Sequence, residues 1–177
     1  MSAFGAVMVV FSLTSAQAEE VMASQKERLA VQSACAVAQT LNNRQQTVYF
    51  TQQLVAEGVQ ELAIIATDEQ QANITKRITY HQHKTADCHF PAIAIIRAGD
   101  WGWFLAWADS EKAYYTRMDG EALVFAPPKI LPVTQVTNIE FLSDSPQPTM
   151  RIQTQNGQSQ DLTSDDEGRN WQLLSPQ

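Results

Sequence analysis

Residues 92–125 read AIAIIRAGDWGWFLAWADSEKAYYTRMDGEALVF, and this stretch decides how the rest of the chain is interpreted. It contains three β-rich runs separated by short turns with Asp and Gly: Ala92–Arg97, Trp103–Ala108 and Ala113–Arg117. Runs rich in β-branched and aromatic residues between such turns are typical of antiparallel strands. The stretch therefore predicts a three-stranded meander.

Similar runs flank this meander on both sides and extend the β-rich region over residues 59–177. Residues 68–80 also fit a helix capped by Asp68, and this alternative stays open. Asn156-Gly157 is a favoured pair for a tight hairpin turn. The additional predicted strands are Leu62–Thr67, Ile74–His83, Val133–Leu142 and Met150–Thr163.

The preceding residues, 19–58, predict a helical region. Val31, Cys35, Ala38 and Leu41 recur at helical spacing. Residues 47–57 fit either a strand or a helix, and Gly58, which suits a helix end, favours a second helix there. The predicted fold class is α+β: an N-terminal helical region followed, in the same domain, by an antiparallel β-meander that forms an open sheet, a sandwich or a partial propeller-like sheet.

Residues 1–18 resemble an export signal. An apolar run from Phe4 to Leu13 precedes Ala16 and Ala18, the small residues that signal peptidase requires. No Lys or Arg precedes the run, which departs from the usual pattern. We expect cleavage before Glu19, a periplasmic or secreted protein, and no membrane span in the mature chain.

Cys35 and Cys88 are the two cysteines of the chain. In an oxidising compartment such a pair predicts one disulfide, whose loop of about 54 residues the chain-entropy model values at about 4 kcal/mol. Two buried thiols, or one cysteine binding a metal, are the alternatives.

The net charge of −7, with 12 dispersed Lys and Arg, lacks the basic surface that nucleic acid or an anionic membrane requires. The composition therefore argues against both of these partner classes.

Residues 164–171 read SDDEGRNW. Asp166 can accept backbone N–H groups inside a tight turn, Gly168 can adopt positive φ, and Trp171 can begin the next strand. With Ser164 these residues match Ser-x-Asp-x-Gly-x-x-Trp, and the stretch resembles the Asp-box, or BNR repeat, of sialidase-like β-propellers. The resemblance implies a structural turn remote from any catalytic centre.

A degenerate copy of the motif places Asp119 at the Asp-box aspartate, within a stretch that has the rhythm of a propeller blade. Propellers of the sialidase type have about six blades of four strands, and the β-rich region is long enough for only two or three. The ring is therefore not expected to close, and no catalytic residue is carried over from the family.

The three histidines of the chain cluster at His81, His83 and His89, with Asp87 beside them. Imidazoles with a carboxylate suit Zn²⁺ or Cu²⁺. The alternative is a solvated polar strand face without a metal, and no other cofactor is indicated.

Aromatic residues are concentrated in and just before the predicted strand 103–108. The pattern predicts Trp101, Trp103 and Trp107 on one face of this strand, with Tyr114 or Tyr115 opposite them on the next strand. An exposed platform of Trp101, Trp103, Trp107 and Tyr115 would stack on sugar rings. The alternative is a central strand with both faces buried, in which Trp101 is the residue most exposed.

No phosphate loop, HExxH or nucleophile elbow is present, so catalytic residues stay unknown and a non-enzymatic role is favoured. The sequence predicts an exported binding domain for a protein or glycan partner. A metal-binding protein or enzyme using the histidines, and a shortened sialidase-like hydrolase, are alternatives. Unpaired edge strands would also permit a homo-oligomer.

Overall fold

The structure, a computed structural model, describes residues of the compact unit Gln32–Gln177. The described residues are 35, 37–42, 44–56, 59–67, 73–80, 83–84, 88, 90–120, 122–143 and 147–174. Within these ranges every regular element is a β-strand and none is a helix.

Three antiparallel sheets, which we number in chain order, contain all the strands of the described ranges. The strands of sheet 1 are β1 (Val37–Leu41), β2 (Thr47–Ala56), β3 (Val59–Thr67), β4 (Asn73–Arg77) and β5 (His83–Lys84). Both β4 and β5 pair with β3, at different points along it.

Sheets 2 and 3 are four-stranded meanders in which each strand pairs with the next one in sequence. Sheet 2 consists of β6 (Ala92–Ala98), β7 (Gly102–Ala108), β8 (Ala113–Asp119) and β9 (Lys129–Ile130). Sheet 3 consists of β10 (Val136–Ser143), β11 (Thr149–Thr154), β12 (Ser159–Thr163) and β13 (Gln172–Leu173).

The predicted helical region is wrong wherever the structure describes it, and with it the α+β class. Residues 37–41 and 47–56 are β1 and β2, which pair with each other. The physical reason lies in the period-two pattern of β2, where Val48 and Phe50 are buried and Tyr49 between them is exposed. The helical alternative for 68–80 is also wrong over β4; residues 19–34, 36, 43, 57–58 and 68–72 lie outside the described ranges.

Sheet 2 is the central layer of an open stack. Every residue of β7 is buried, which confirms the interpretation of this strand as covered on both sides. One face packs on sheet 1 through Leu105, Trp107 and Phe50, and the other packs on sheet 3 through Ala106 and Ile152. The described strands do not close into a ring.

The predicted disulfide between Cys35 and Cys88 is confirmed, with a Cα–Cα distance of 5.3 Å. It joins the start of β1 to the segment that leads from sheet 1 to sheet 2. The side chain of Gln52 supports this junction: its Nε2 lies 3.7 Å from Cys35 Sγ, and its Oε1 accepts a 3.1 Å hydrogen bond from the Phe90 N–H.

Candidate functional site

The turn between β12 and β13, residues 164–171, is built from hydrogen bonds of three side chains. The Ser164 hydroxyl donates to Asp166 Oδ1 at 2.8 Å and accepts from the Gly168 N–H at 2.8 Å. Asp166 also accepts from the Asn170 backbone N–H at 2.8 Å and from its side-chain amide at 2.6 Å. These bonds, that of the Asn170 backbone above all, lower the pKa of Asp166 to about 2, so the carboxylate is ionised at neutral pH.

Gly168 fixes this turn against sheet 2. Its φ is +74°, and an added Cβ would lie 2.2 Å from Cε1 of Phe104. The Trp171 ring, 8% exposed, packs edge-on against Phe104 and Tyr115 at centroid distances of 6.3 and 6.1 Å. The turn therefore joins sheets 2 and 3, and its side chains are placed by packing as well as by its own hydrogen bonds.

The turn after β8 differs from this arrangement. Asp119 accepts a hydrogen bond from the Ala122 N–H at 2.7 Å, and its own N–H donates to the Val124 carbonyl at 2.8 Å. Asp119 accepts from the N–H three residues later in the chain, whereas Asp166 accepts from the N–H of Asn170, four residues later. Asp119 thus sits in a tight turn, but with a different hydrogen-bond pattern from Asp166.

The four residues of the predicted stacking platform are not on one face. Trp103 and Trp107 are 3% and 2% exposed and face sheet 1. On this face of sheet 2, the Trp107 ring stacks on that of Tyr114 on β8, with 5.6 Å between the ring centroids. Tyr115 is 6% exposed and faces sheet 3, and its hydroxyl donates to the Arg169 carbonyl at 2.8 Å. Only Trp101 is half-buried rather than buried.

Trp101 lies on the sheet 3 side because it precedes β7 and belongs to the turn after β6. Its ring edge packs on Phe104 at 5.5 Å, on the face opposite to Trp103. The Cζ of Arg117 lies 4.5 Å from the centroid of the Trp101 ring. This is within the range of a cation–π interaction.

Two more charged side chains from the 164–171 turn complete the group, and we call Trp101, Arg117, Glu167 and Arg169 the Arg117 corner. Glu167 Oε2 lies 3.9 Å from Arg117 Nη2 and 3.4 Å from Arg169 Nη2. Glu167 has φ +58°, an uncommon conformation for a residue with a side chain. The corner therefore contains two guanidinium groups that share one exposed carboxylate.

The corner contains one buried N–H donor, Arg117 Nε, that has no hydrogen-bond partner among the described residues. Trp171 Nε1, at the end of the 164–171 turn, is a second such donor. Burial, and then the nearby Arg169, lower the pKa of Arg117; Glu167 and Asp166 oppose this shift. A buried donor without an acceptor costs about 1–3 kcal/mol, so the corner is incomplete as a hydrogen-bonded structure.

The predicted metal ligands lie almost entirely outside the described residues. His81, Asp87 and His89 lie outside the described residues, and for His83 only the backbone in β5 is described. Among the described side chains, no group of three His, Cys, Asp or Glu residues is arranged to hold a metal ion. The metal site stays a prediction, as does the export signal at residues 1–18.

A search for helices that could cross a membrane finds none in the described part of the chain.

Sequence reasoning missed Glu167 and Arg169 as site residues. Both occupy variable positions of the Asp-box pattern, so the motif carries no information on them. Arg117 had one signal, a charged residue inside a strand otherwise rich in aromatic and apolar residues. What brings the three together is the packing of the turn against sheet 2.

Comparisons with known proteins identify no family for this chain. The sequence matches no family model and no curated protein. The relation to sialidase-like propellers therefore stays a prediction. A similar solved structure is that of a fucose lectin from Kordia zhangzhouensis in complex with methyl-fucoside, with 10% sequence identity and a TM-score of 0.46. The match covers 80% of this chain and 99% of the lectin chain, and at that score it carries no argument about function.

Proposed function

We propose that this protein is an exported, non-enzymatic glycan-binding domain and that the Arg117 corner is its binding site. The observation that supports the proposal best is Arg117 itself. Its buried Nε has no partner among the described residues, and it lies beside the half-buried Trp101 and the exposed carboxylate of Glu167. Unsatisfied buried polar groups in a folded protein call for a functional or solvent explanation.

The chemistry of the corner matches that of a sugar. Hydroxyl groups both donate and accept hydrogen bonds, so they can accept from Arg117 and donate to Glu167 at the same time. The Trp101 ring offers an apolar surface for the C–H groups of a pyranose, and ligand sites commonly combine aromatic walls with a few polar groups. Binding of this kind requires no covalent step.

Export fits the disulfide, because bonds such as Cys35–Cys88 persist in oxidising compartments. A protein partner is the competing occupant of the corner. The metal-binding and sialidase-like alternatives stay predictions from the sequence.

An array of neutral and acidic oligosaccharides tests the proposal directly. We expect the purified protein to bind a subset of the array, and Trp101→Ala and Arg117→Gln to reduce that binding about tenfold or more, equivalent to about 1.4 kcal/mol. Arg151→Gln is the matched control, because Arg151 forms a two-contact ion pair with Asp161, at 2.8 Å each, on the exposed face of sheet 3. Absence of binding to every glycan, or equal loss in the Arg151 control, contradicts the proposal.

A further inference from the structure

The charges of the Arg117 corner are unevenly paired. Charge-assisted hydrogen bonds between guanidinium and carboxylate are about 2.7–2.9 Å long. Glu167 lies 3.9 Å from Arg117 and 3.4 Å from Arg169, so neither cation has a short contact with it. One loosely placed carboxylate thus serves two guanidinium groups.

The other nearby carboxylate is already engaged. Asp166 accepts from Ser164 and from the backbone and side chain of Asn170, all inside the turn. Lys129 adds a third cation on the same side, since its Nζ donates to the Arg169 carbonyl at 2.8 Å and to Asn170 Oδ1 at 3.2 Å. Among the charged neighbours of Arg117, Arg169 lowers its pKa most, while Glu167 and Asp166 oppose this shift.

We propose that the Arg117 corner receives an anionic group of its glycan, a carboxylate or a sulfate carried by a sugar, held between Arg117 and Arg169 where Glu167 now lies. This inference rests on the proposed function and adds the ligand class. A carboxylate or sulfate presents several acceptor oxygens, which suits guanidinium donors better than a neutral hydroxyl does.

Glu167 is placed so that it can give way. Its side chain is 59% exposed, and the hydrogen bonds that hold the turn come from Ser164, Asp166, Gly168 and Asn170 rather than from its carboxylate. Glu167 can therefore leave the two arginines without opening the turn. In the free protein it acts as a weak internal substitute for the ligand.

The net charge of −7 does not prevent an anionic group from binding between Arg117 and Arg169. At physiological ionic strength the Debye length is about 8 Å, so distant surface carboxylates are largely screened. Contacts within hydrogen-bond distance of Arg117 and Arg169 decide the affinity instead. Rising salt should still weaken an anionic ligand more than a neutral one.

The test uses matched sugars that differ only at C6. Methyl glycosides of gluco, galacto and manno configuration are titrated by calorimetry beside their uronate and 6-O-sulfate counterparts. We expect at least one configuration to bind about tenfold or more tightly as the anion, with the carboxylate and sulfate arms separating the two sources of charge.

Variants then locate the anion. Arg169→Gln should bring the anionic-to-neutral affinity ratio close to one, while Glu167→Gln should raise anion affinity by removing the internal competitor. Arg151→Gln, on the exposed face of sheet 3, should leave both affinities unchanged. Within the turn, the side chains of Arg169 and Glu167 contact each other at 3.4 Å but are 60% and 59% exposed, so both variants should fold.

The outcomes separate this inference from the proposed function. If neutral sugars bind as well as or better than their anionic counterparts, or if Glu167→Gln weakens the anion, the ligand class is wrong and glycan binding stands. If no sugar of any pair binds while the oligosaccharide array still shows binding, the ligand class is wrong and glycan binding stands. If the array also shows no binding, glycan binding is contradicted and the inference falls with it.

Discussion

Two arginines of this protein lie over aromatic rings at the same distance and differ in every other contact. Arg77 Cζ is 4.5 Å from the centroid of the Tyr80 ring, and Arg117 Cζ is 4.5 Å from that of Trp101. Arg77 donates to Glu61 Oε1 at 2.9 Å and to the Thr79 carbonyl at 2.9 Å. Arg117 has a carboxylate at 3.9 Å and a buried Nε without a partner among the described residues.

The carboxylates differ as well. Glu61 is fully buried and also accepts a short hydrogen bond from the Thr79 hydroxyl, which in turn accepts from the Leu62 N–H at 2.9 Å. Glu167 is 59% exposed. The Arg77 group is a closed network that stabilises sheet 1, whereas the Arg117 corner is an open one. An arginine and a glutamate thus stabilise the fold at Arg77, where their hydrogen bonds are complete. At Arg117, where they are incomplete, the same two residue types leave donors available for a ligand.

The largest expected effect breaks the closed network. Arg77→Gln should lower the free energy of unfolding by about 3 kcal/mol, because it leaves the buried Glu61 charge without its cation. Urea unfolding followed by tryptophan fluorescence measures this.

Arg117→Gln is the comparison variant, and we expect it to change the free energy of unfolding by less than about 1 kcal/mol, since its ion pair is long and partly exposed. Equal losses in the two variants would mean that the Arg117 corner is as structural as the Arg77 group.

A smaller effect tests how the open corner is held in place. Gly168→Ala should lower the free energy of unfolding by about 2 kcal/mol, because the new methyl group would overlap Phe104 and the backbone has φ +74°. The shifted turn should also move Glu167 and Arg169 and weaken glycan binding at the Arg117 corner.

Gly157→Ala separates these two causes. Gly157 has φ +79° but no atom within 4 Å of an added Cβ, so it carries the backbone cost alone, about 1 kcal/mol. If both glycine variants lose the same stability, the contact with Phe104 does not contribute.

The β-rich half of the fold could be predicted because its strands alternate with Gly and Asp turns. The N-terminal strands could not, since residues 47–57 fit both a strand and a helix, Gly58 suited a helix end, and Ala38 and Leu41 happened to fit a helical stripe. In the structure these two residues lie three apart on one strand, where Ala38 packs on the core and Leu41 is exposed. The pairing of β1 with β2 decides their conformation, and a single sequence does not reveal it.

The candidate site shows the same limit at the level of side chains. Alternation along β7 placed Trp103 and Trp107 together correctly, but it fails for Trp101, which belongs to the preceding turn. Glu167 reaches Arg117 only because Gly168 allows the turn to pack on Phe104. Contacts between sheets, which set this geometry, are not encoded in any local pattern.

The smallest effect concerns the carboxylate that anchors the open corner. The pKa of Asp166 is about 2 in the folded protein and close to 4 in an unfolded chain, so between these values the unfolded state binds more protons. The stabilisation is therefore complete above about pH 4 and is lost as the pH falls through about pH 2.

We expect Asp166→Asn to be less stable than the parent protein at about pH 5 and the difference to shrink at about pH 2, as read from urea midpoints. Asp161→Asn serves as the control, because the pKa of Asp161 is also lowered, by its hydrogen bond from Arg151 on the face remote from the corner. Acid should weaken glycan binding through Asp166 and not through Asp161, because only Asp166 holds the turn that carries Glu167 and Arg169. If the Asp161 variant alters the acid dependence of binding equally, the corner is not held by the turn, and its contrast with the closed Arg77 network loses its structural basis.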